Sequence, residues 1–292
     1  MDLSVIIPHY NRGALLERCL ASIPAGASEL SYEVIVVDNG SRDGSLAMVQ
    51  QHFPSVILLR NDKNEGFSRA TNRGLRIAKG GHLLCLNHDT ALVPNSLNAL
   101  VSFMGKHPEA GVVGGKILNL DGTVQPSARA FPGLATAFFN RGSFLTRLFP
   151  RNPFTTRYLL TDWNHGTVRE VDWVSGSFFL IRRELLETVG LFDERFFLYC
   201  EDVDYCRRAK EANYRVFYVP DGQMLHETGY SEFRFMTLFY HHQSMYRFYK
   251  KYHSRGRLWD AGVLAGITAR FGIGVGFWAI RKLMKGAHGF PA

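Results

Sequence analysis

Cysteine is scarce: four thiols, Cys19, Cys85, Cys200 and Cys206, stand far apart in 292 residues and share no paired metal-ligand spacing. That argues against a zinc ribbon or a disulfide framework and predicts a reduced, cytosolic setting. An unbroken apolar run of the roughly 20 residues that span a bilayer is also missing. The longest candidate, Leu258–Ile280, is interrupted by Asp260 and Arg270 and carries several glycines. The first 25 residues mix acids and bases over a strand, turn and helix pattern, so no signal peptide is expected. No internal repeat is visible. Net charge is absent from most of the chain. Of the formal +8, all lies after residue 240, where nine Lys/Arg face only Asp260, leaving 25 of each sign before it. A nucleic-acid groove is therefore not expected. The basic tail is interleaved with Trp259, Phe271, Phe277 and Trp278, a mixture suited to a membrane surface.

The hydrophobic (46%) and charged (21%) fractions are those of an ordinary folded protein, and the length allows one large or two small domains. Strand-like runs alternate with helical patterns through residue 120. Leu3–Pro8, Glu33–Asp38, Val56–Arg60 and His82–Leu86 read as strands, and Val112–Leu118 as extended. Helical periods cover Gly13–Ser22, Ser45–His52, Phe67–Ala78 and the stretch from Pro94 to Gly105. Such alternation predicts a parallel sheet with helices on both faces. Residues 121–170 show no clean period. A second block then predicts a strand over Val171–Ile181, a helix over Arg183–Val189, a helix over Glu201–Ala212 and a strand over Arg215–Val219. From Phe233 onward the pattern is helical and rich in aromatics.

Three strands end in polar tips: Pro8-His9-Tyr10-Asn11, Asp38-Asn39-Gly40-Ser41 and Asn87-His88-Asp89. Ligands of open α/β sheets bind outside strand carboxyl ends, so three tips on one edge form a site for a nucleotide-activated substrate. Each tip has a plainer reading. Asp38–Ser41 could be a strand-to-helix turn with Gly40 at positive φ. Asp89 could be a turn cap, yet a carboxylate beside the apolar Leu83–Leu86 run needs a partner, and Mg²⁺ or Mn²⁺ with substrate phosphate oxygens would supply one. Asn64 and Gly66 place a tight turn before a helix whose start could face phosphate, and Asn72 occupies a helix position where an apolar residue would cost less. Glu201, Asp202 and Asp204 suit a helix N-terminus, but the aromatics before them also favour a base of raised pKa. His226 taken alone is more often a surface or core histidine than a metal ligand.

In order, these segments resemble the family-two inverting glycosyltransferases of the GT-A fold, in particular the bacterial rhamnosyltransferase-like branch, over about residues 3–250. The resemblance implies that Pro8, His9, Tyr10, Asn11, Asp38, Asn39, Gly66, Phe67, Asn72, Asn87 and His88 contact the nucleotide sugar. Asn87-His88-Asp89 stands where that family has its Asp-x-Asp metal motif, with Asn in the first place. Asp89 is then the main carboxylate on Mg²⁺ or Mn²⁺, completed by His226. Trp173 and Gly176 fall in a segment like the family's acceptor side, and Asp202 is similar to its usual catalytic base, with Glu201 second.

The implied fold class is α/β, a GT-A-like mostly parallel sheet flanked by helices, with a helical, basic C-terminal extension. Residues 1–232 would form the glycosyltransferase domain, 1–120 its nucleotide half and 121–232 its acceptor half. Residues 233–292 would associate with the cytoplasmic side of the plasma membrane, in-plane or re-entrant rather than spanning, with a homodimer contact as another use. Partners would be a nucleoside-diphosphate sugar, with rhamnose on a thymidine carrier favoured by resemblance alone, and a glycan or polyprenyl-linked acceptor. Two other readings stay open. A nucleotidyltransferase would need a Gly-rich, basic loop after the first strand, which Pro8–Gly13 fits poorly; a silent sugar-nucleotide-binding membrane scaffold would release no nucleoside diphosphate.

Overall fold

The computed structural model describes residues 1–133, 148, 152–227 and 235–287. A ten-stranded sheet holds the molecule together, and its order explains where the polar tips go. β1 (Leu3–His9), β2 (Tyr32–Asp38), β3 (Ile57–Arg60) and β4 (His82–Leu86) lie parallel in the order β3-β2-β1-β4. Every residue of β1 is buried, as is β2 from Val34 to Asp38. Such runs of Val and Ile suit strands covered on both faces. Next to β4 comes β11 (Phe178–Arg182), antiparallel to it and to β6 (Ala110–Leu118). Because β11 is reversed, its first residue, Phe178, sits opposite Leu86. Its N-terminal end therefore joins the edge where β1, β2 and β4 finish. β12 (Arg215–His226) runs parallel to β6, and β5 (Thr90–Leu92) closes the order antiparallel to β12.

Two hydrophobic layers flank this sheet. One packs α1 (Gly13–Gly26), α2 (Ser45–His52) and α4 (Ser96–Lys106) on one face through Leu16, Leu20, Val49, Leu97 and Leu100. The other packs α3 (Phe67–Leu75) and α7 (Glu201–Glu211) on the opposite face through Ala70, Leu75, Val203, Tyr205 and Cys206. Small residues let α3 approach closely: a Cβ on Gly74 would stand 2.6 Å from Ile6 Cγ2.

Several boundaries differ from the sequence pattern. The strand expected over Val171–Ile181 is three pieces: β9 (Arg169–Val171), β10 (Trp173–Val174) and β11. β10 leaves the main sheet to pair with β8 (Ala128–Arg129), and Ser175 N donates to Ser127 O at 2.8 Å. The strand expected to stop at Val219 continues through Pro220 to His226, since a register shift between Val219 and Gln223 absorbs the proline that cannot donate. Parts of the aperiodic 121–170 stretch are regular: β7 (Val124–Gln125), β8 and α5 (Pro153–Leu159). Residues 134–147 and 149–151 of that stretch, and 228–234, lie outside the described residues. The helix expected from Arg183 is the single turn α6 (Leu185–Thr188), and α3 ends at Leu75 rather than Ala78.

The C-terminal extension is two helices, α8 (Phe235–Tyr252) and α9 (Arg257–Ala287). Within α9, Arg257–Ala279 has a mean hydropathy of 1.3 and is long and apolar enough, by length and composition, to cross a membrane. Both charges that interrupt its apolar run turn inward. Asp260 is buried and accepts hydrogen bonds from Tyr249 Oη (2.6 Å), Lys250 Nζ (2.6 Å) and Ser254 Oγ (2.8 Å). Arg270 is half-buried beside Phe271, whose ring meets Phe235, Phe239 and His242 of α8. Leu258, Ile273 and Phe277 face outward at 92%, 63% and 66% exposure.

Candidate active site

The tips of β1 and β2 are locked together by main-chain and short polar contacts. Asn39 N donates to His9 O at 2.7 Å. Asp38 is fully buried and accepts from Gly40 N and Ser41 N at 3.2 Å, so its carboxylate shapes its own turn. Asn11 takes φ 57, donates from its N–H to Ser41 Oγ at 2.7 Å and accepts Arg42 N at 3.0 Å, while Tyr10 projects 41% exposed. Asn39 is buried in an amide web, accepting from Asn61 Nδ2 and Glu65 N and donating to Asn64 Oδ1 and Gly66 O. The His9 and His88 rings meet edge-on with centres 4.9 Å apart. Burial and the neighbouring imidazole push His9 down to about 3, so it is neutral. His88, hydrogen-bonded to the Pro8 main chain, is lowered by burial as well.

At the end of β4, Asp89 meets His226 from the end of β12. Asp89 Oδ1 is buried, lies 3.3 Å from His226 Nε2, and makes no hydrogen bond of good geometry. Burial alone would raise this carboxyl, but His226 and then His88 outweigh it and hold it below the usual range. Gln125 orients the imidazole from behind: its Oε1 lies 3.1 Å from Nδ1, and its Nε2 donates to His226 O at 3.1 Å. Were a cation to replace the His226–Asp89 contact, Nδ1–H donating to Gln125 would leave an Nε2 lone pair facing the same space as that carboxylate oxygen. Those two donors suit a hard divalent cation that takes its other ligands from phosphate and water. No third His, Cys, Asp or Glu joins them among the described residues.

Asn87 links this pair to the acidic one. Its N–H donates to Ser177 O at 3.1 Å, and next to Ser177 the N–H of Gly176 donates to Asp202 Oδ2 at 3.0 Å. Asp202 Oδ1 accepts from Val203 N at 2.8 Å. Burial raises the Asp202 carboxyl, while those N–H groups and the charge of Arg129 pull the other way. Glu201 is more buried, its Oε2 lacks a partner, and burial together with the Asp202 charge raises it much further. Two adjacent carboxyls are thus separated by environment, Glu201 being pushed up further than Asp202.

Glu201 and Asp202 follow a turn in which Tyr199 (φ 70) and Cys200 (φ 67) are both left-handed. Such backbone persists only where its surroundings over-determine it. Here α3 grips one side: Phe67 N donates to Phe197 O (2.7 Å) and Ser68 Oγ to Phe196 O (2.7 Å). Asn72 donates to Phe192 O (2.9 Å) and accepts Phe192 N (2.9 Å). The other side is held by α8, where Ser244 Oγ donates to Leu198 O (2.8 Å) and the Tyr240 ring stacks on Phe197 at 4.1 Å. The side chain of Asn72, expected at the donor, is therefore engaged in positioning the 192–197 turn. Gly66 (φ 90) lies so close that a Cβ would stand 2.5 Å from Phe197 O.

Trp173 is buried with Nε1 donating to Ala130 O at 2.9 Å, and the Arg129 guanidinium lies 5.3 Å from its ring and 5.9 Å from that of Tyr158. Arg129, Tyr158, Gln125 and His241 escaped the sequence reading. Each is a lone polar residue in an aperiodic or aromatic-rich stretch, with no neighbouring signal to single it out.

A profile of glycosyl transferase family 2 matches residues 4–190. The chain is 37% identical over 267 residues to an N-acetylglucosaminyl-diphospho-decaprenol L-rhamnosyltransferase of Mycobacterium tuberculosis, covering 86% of this chain and 85% of that one. It is 32% identical over 227 residues to the O-antigen biosynthesis protein RfbC of Myxococcus xanthus, covering 77% of this chain and 17% of that protein. Among solved structures, a mannosyltransferase of Pyrobaculum calidifontis in complex with GDP-Man and Mn²⁺ superposes with a TM-score of 0.59 at 19% identity, over 99% of this chain and 76% of that one. GalNAc-T7 with UDP, GalNAc and Mn²⁺ gives a TM-score of 0.62 at 17% identity, over 86% of this chain and 48% of that one. At such identities these two likenesses speak for the shared fold.

Proposed function

The chain belongs to glycosyl transferase family 2, and from that premise we propose that it transfers a sugar, with inversion, from a nucleoside-diphosphate donor to a hydroxyl of a lipid-diphosphate-linked N-acetylglucosamine in cell-envelope polysaccharide synthesis. Rhamnose is the proposed sugar, by similarity to the mycobacterial relative. The observation that supports the reading is the link from Asp89–His226 through Asn87, Ser177 and Gly176 to Asp202, which gathers these three side chains at one edge of the sheet.

Asp202 takes the proton from the acceptor hydroxyl as that oxygen attacks the anomeric carbon. Gly176 N and Val203 N fix the carboxylate's orientation and, with the charge of Arg129, oppose the upward pull of burial on it. One displacement at the anomeric carbon inverts its configuration. Asp89 and His226 would hold Mg²⁺ or Mn²⁺, which when bound supplies positive charge at the departing diphosphate. The tips Pro8–Asn11 and Asp38–Asn39 serve the nucleoside; Trp173 and Gly176 stand on the acceptor side. The outward face of α9 docks on the cytoplasmic leaflet, where such an acceptor resides.

The test is a panel of nucleoside-diphosphate sugars offered to the purified full chain with Mn²⁺ and a prenyl-diphosphate N-acetylglucosamine, followed by NMR of the product linkage. The expected result is acceptor-dependent release of nucleoside diphosphate and an anomeric configuration opposite to the donor's. A product retaining the donor configuration, or no acceptor-dependent release from any donor, would overturn the reading.

A further inference from the structure

Basic side chains from three separate parts of the chain lie near one another, and one of them, Arg129, acts on Asp202. Arg129, from β8, lies between the Trp173 and Tyr158 rings with its Nε buried and lacking a hydrogen bond. His241 sets its ring against Tyr199 at 5.2 Å, two residues before Glu201. His242 is 5% exposed; its Nδ1 is bonded to Leu238 O at 2.8 Å, and its buried Nε2 has no partner. Arg270 joins from α9, beside Phe271, whose ring packs 5.6 Å from that of His242.

These groups feel one another. Burial and the positive charges of His242, Arg270 and Arg129 push His241 down to about 4. Burial and Arg270 also lower His242. Desolvated guanidinium charges cost free energy that a bound anion offsets, and imidazoles pushed towards neutrality beside them would regain protons next to such an anion. The carboxylate close to Arg129 is Asp202, whose charge must stay available for the acceptor's proton. A multiply charged anion that arrives with the acceptor meets both demands.

We propose that Arg129, His241, His242 and Arg270 form the receptor for the diphosphate of a lipid-linked acceptor, held one sugar ring away from the hydroxyl that Asp202 deprotonates. This rests on the reading of Asp202 as base and of a diphosphate-linked sugar as acceptor. Geometry gives the arrangement its sense. Arg270 lies on the protein side of a helix whose other face is apolar. A lipid lying along α9 would therefore bring its headgroup inward at Arg270, and guanidinium forks match phosphate oxygens in pairs.

The experiment compares two acceptors on the full chain in neutral detergent: a prenyl-diphosphate N-acetylglucosamine and a neutral alkyl N-acetylglucosaminide. The readout is the ratio of their kcat/KM values. Wild type is expected to favour the diphosphate acceptor by two orders of magnitude or more. Arg270→Gln should cut that ratio about tenfold, mainly through the KM of the diphosphate acceptor; Arg129→Gln should cut the ratio similarly, on top of a loss with both acceptors through Asp202; and Arg270→Lys should keep most of it. Full retention of the ratio in both Gln variants, with wild type still discriminating, would sink the receptor while leaving the proposed function standing. Wild type that transfers without preference would likewise overturn the receptor, whereas no transfer to either acceptor would instead defeat the underlying reading. A third arm adds anionic phospholipid with the neutral acceptor: stimulation that both Gln variants abolish would assign the cluster to membrane headgroups and overturn the proposal.

Discussion

Glu201 and Asp202 are adjacent in sequence, yet Asp202 accepts from the N–H groups of two other residues, Gly176 and Val203, and has a guanidinium nearby. This difference predicts their kinetics. Glu201→Gln, which keeps shape and a neutral head, should leave far more activity than Asp202→Asn, which should cost about 10²–10⁴-fold in kcat. Because the raised Asp202 group must be ionised to act as base, kcat/KM should fall as pH drops through its shifted pKa. The midpoint should lie above the 3.8 of an ordinary aspartate. A pH–rate profile with an unshifted or missing acid limb would count against the assignment. Asp89, Asp202 and His226 are readable as candidates from sequence, since they sit in recognisable strings. Arg129 is not, because its role comes from β8 pairing with β10, a contact between residues more than 40 apart.

At the scale of elements, the turn carrying the acidic pair is held as if in a vice between α3 and α8. Asn72→Ala removes both hydrogen bonds to Phe192 and leaves its buried main chain unpaired, a loss of about 2–4 kcal/mol by denaturant unfolding. Gly66→Ala should destabilise by about 1–3 kcal/mol and lower kcat as well, because φ 90 and the Phe197 carbonyl both oppose a Cβ. A neutral outcome for either variant would mean that the α3 grip is not needed.

On the α8 side, Lys251 Nζ reaches Asp193 Oδ2 (2.9 Å) and Asp204 Oδ1 (2.6 Å). The Arg195 hydrogen bond, then Lys251, hold the Asp193 carboxyl well below its usual range against the effect of burial. A depressed acid stabilises the fold above its unfolded pKa of 3.8, and that stability disappears as pH falls towards the folded value. Stability should therefore decline below about pH 4, and Lys251→Ala should both lower the neutral-pH plateau and flatten that decline in urea melts. An acid limb as steep as wild type would refute the link.

Element types along the first 120 residues could be read from periodicity, because parallel strands there are continuous apolar runs. The reversal of β11 could not: nothing in Phe178–Arg182 says which way the strand runs, yet it brings Ser177 and Gly176 to the site. The continuation of β12 past Pro220 depended on a bulge, which is likewise invisible in an apolar pattern.

Taken whole, the molecule joins the candidate site to an apolar outer helix through contacts of α8 with the 195–200 turn. Sequence alone counts Arg270 and Asp260 as a penalty against spanning the bilayer; in three dimensions both face the protein, leaving Leu258, Ile273 and Phe277 outward. Ile273→Glu with Phe277→Glu should release the chain from vesicles containing anionic lipid in co-sedimentation, with donor hydrolysis retained. Undiminished vesicle binding would remove α9 from the membrane account.

One calorimetric series addresses the central claim, that a cation pair and a base share one substrate. Nucleoside diphosphate is titrated into wild type, Asp89→Ala and Asp202→Asn, with and without Mn²⁺, and transfer is assayed on the same preparations. Asp89→Ala should lose the metal-dependent part of the affinity, and Asp202→Asn should bind like wild type yet transfer almost nothing. Metal-dependent binding that survives in Asp89→Ala, or transfer that survives in Asp202→Asn, would contradict the account.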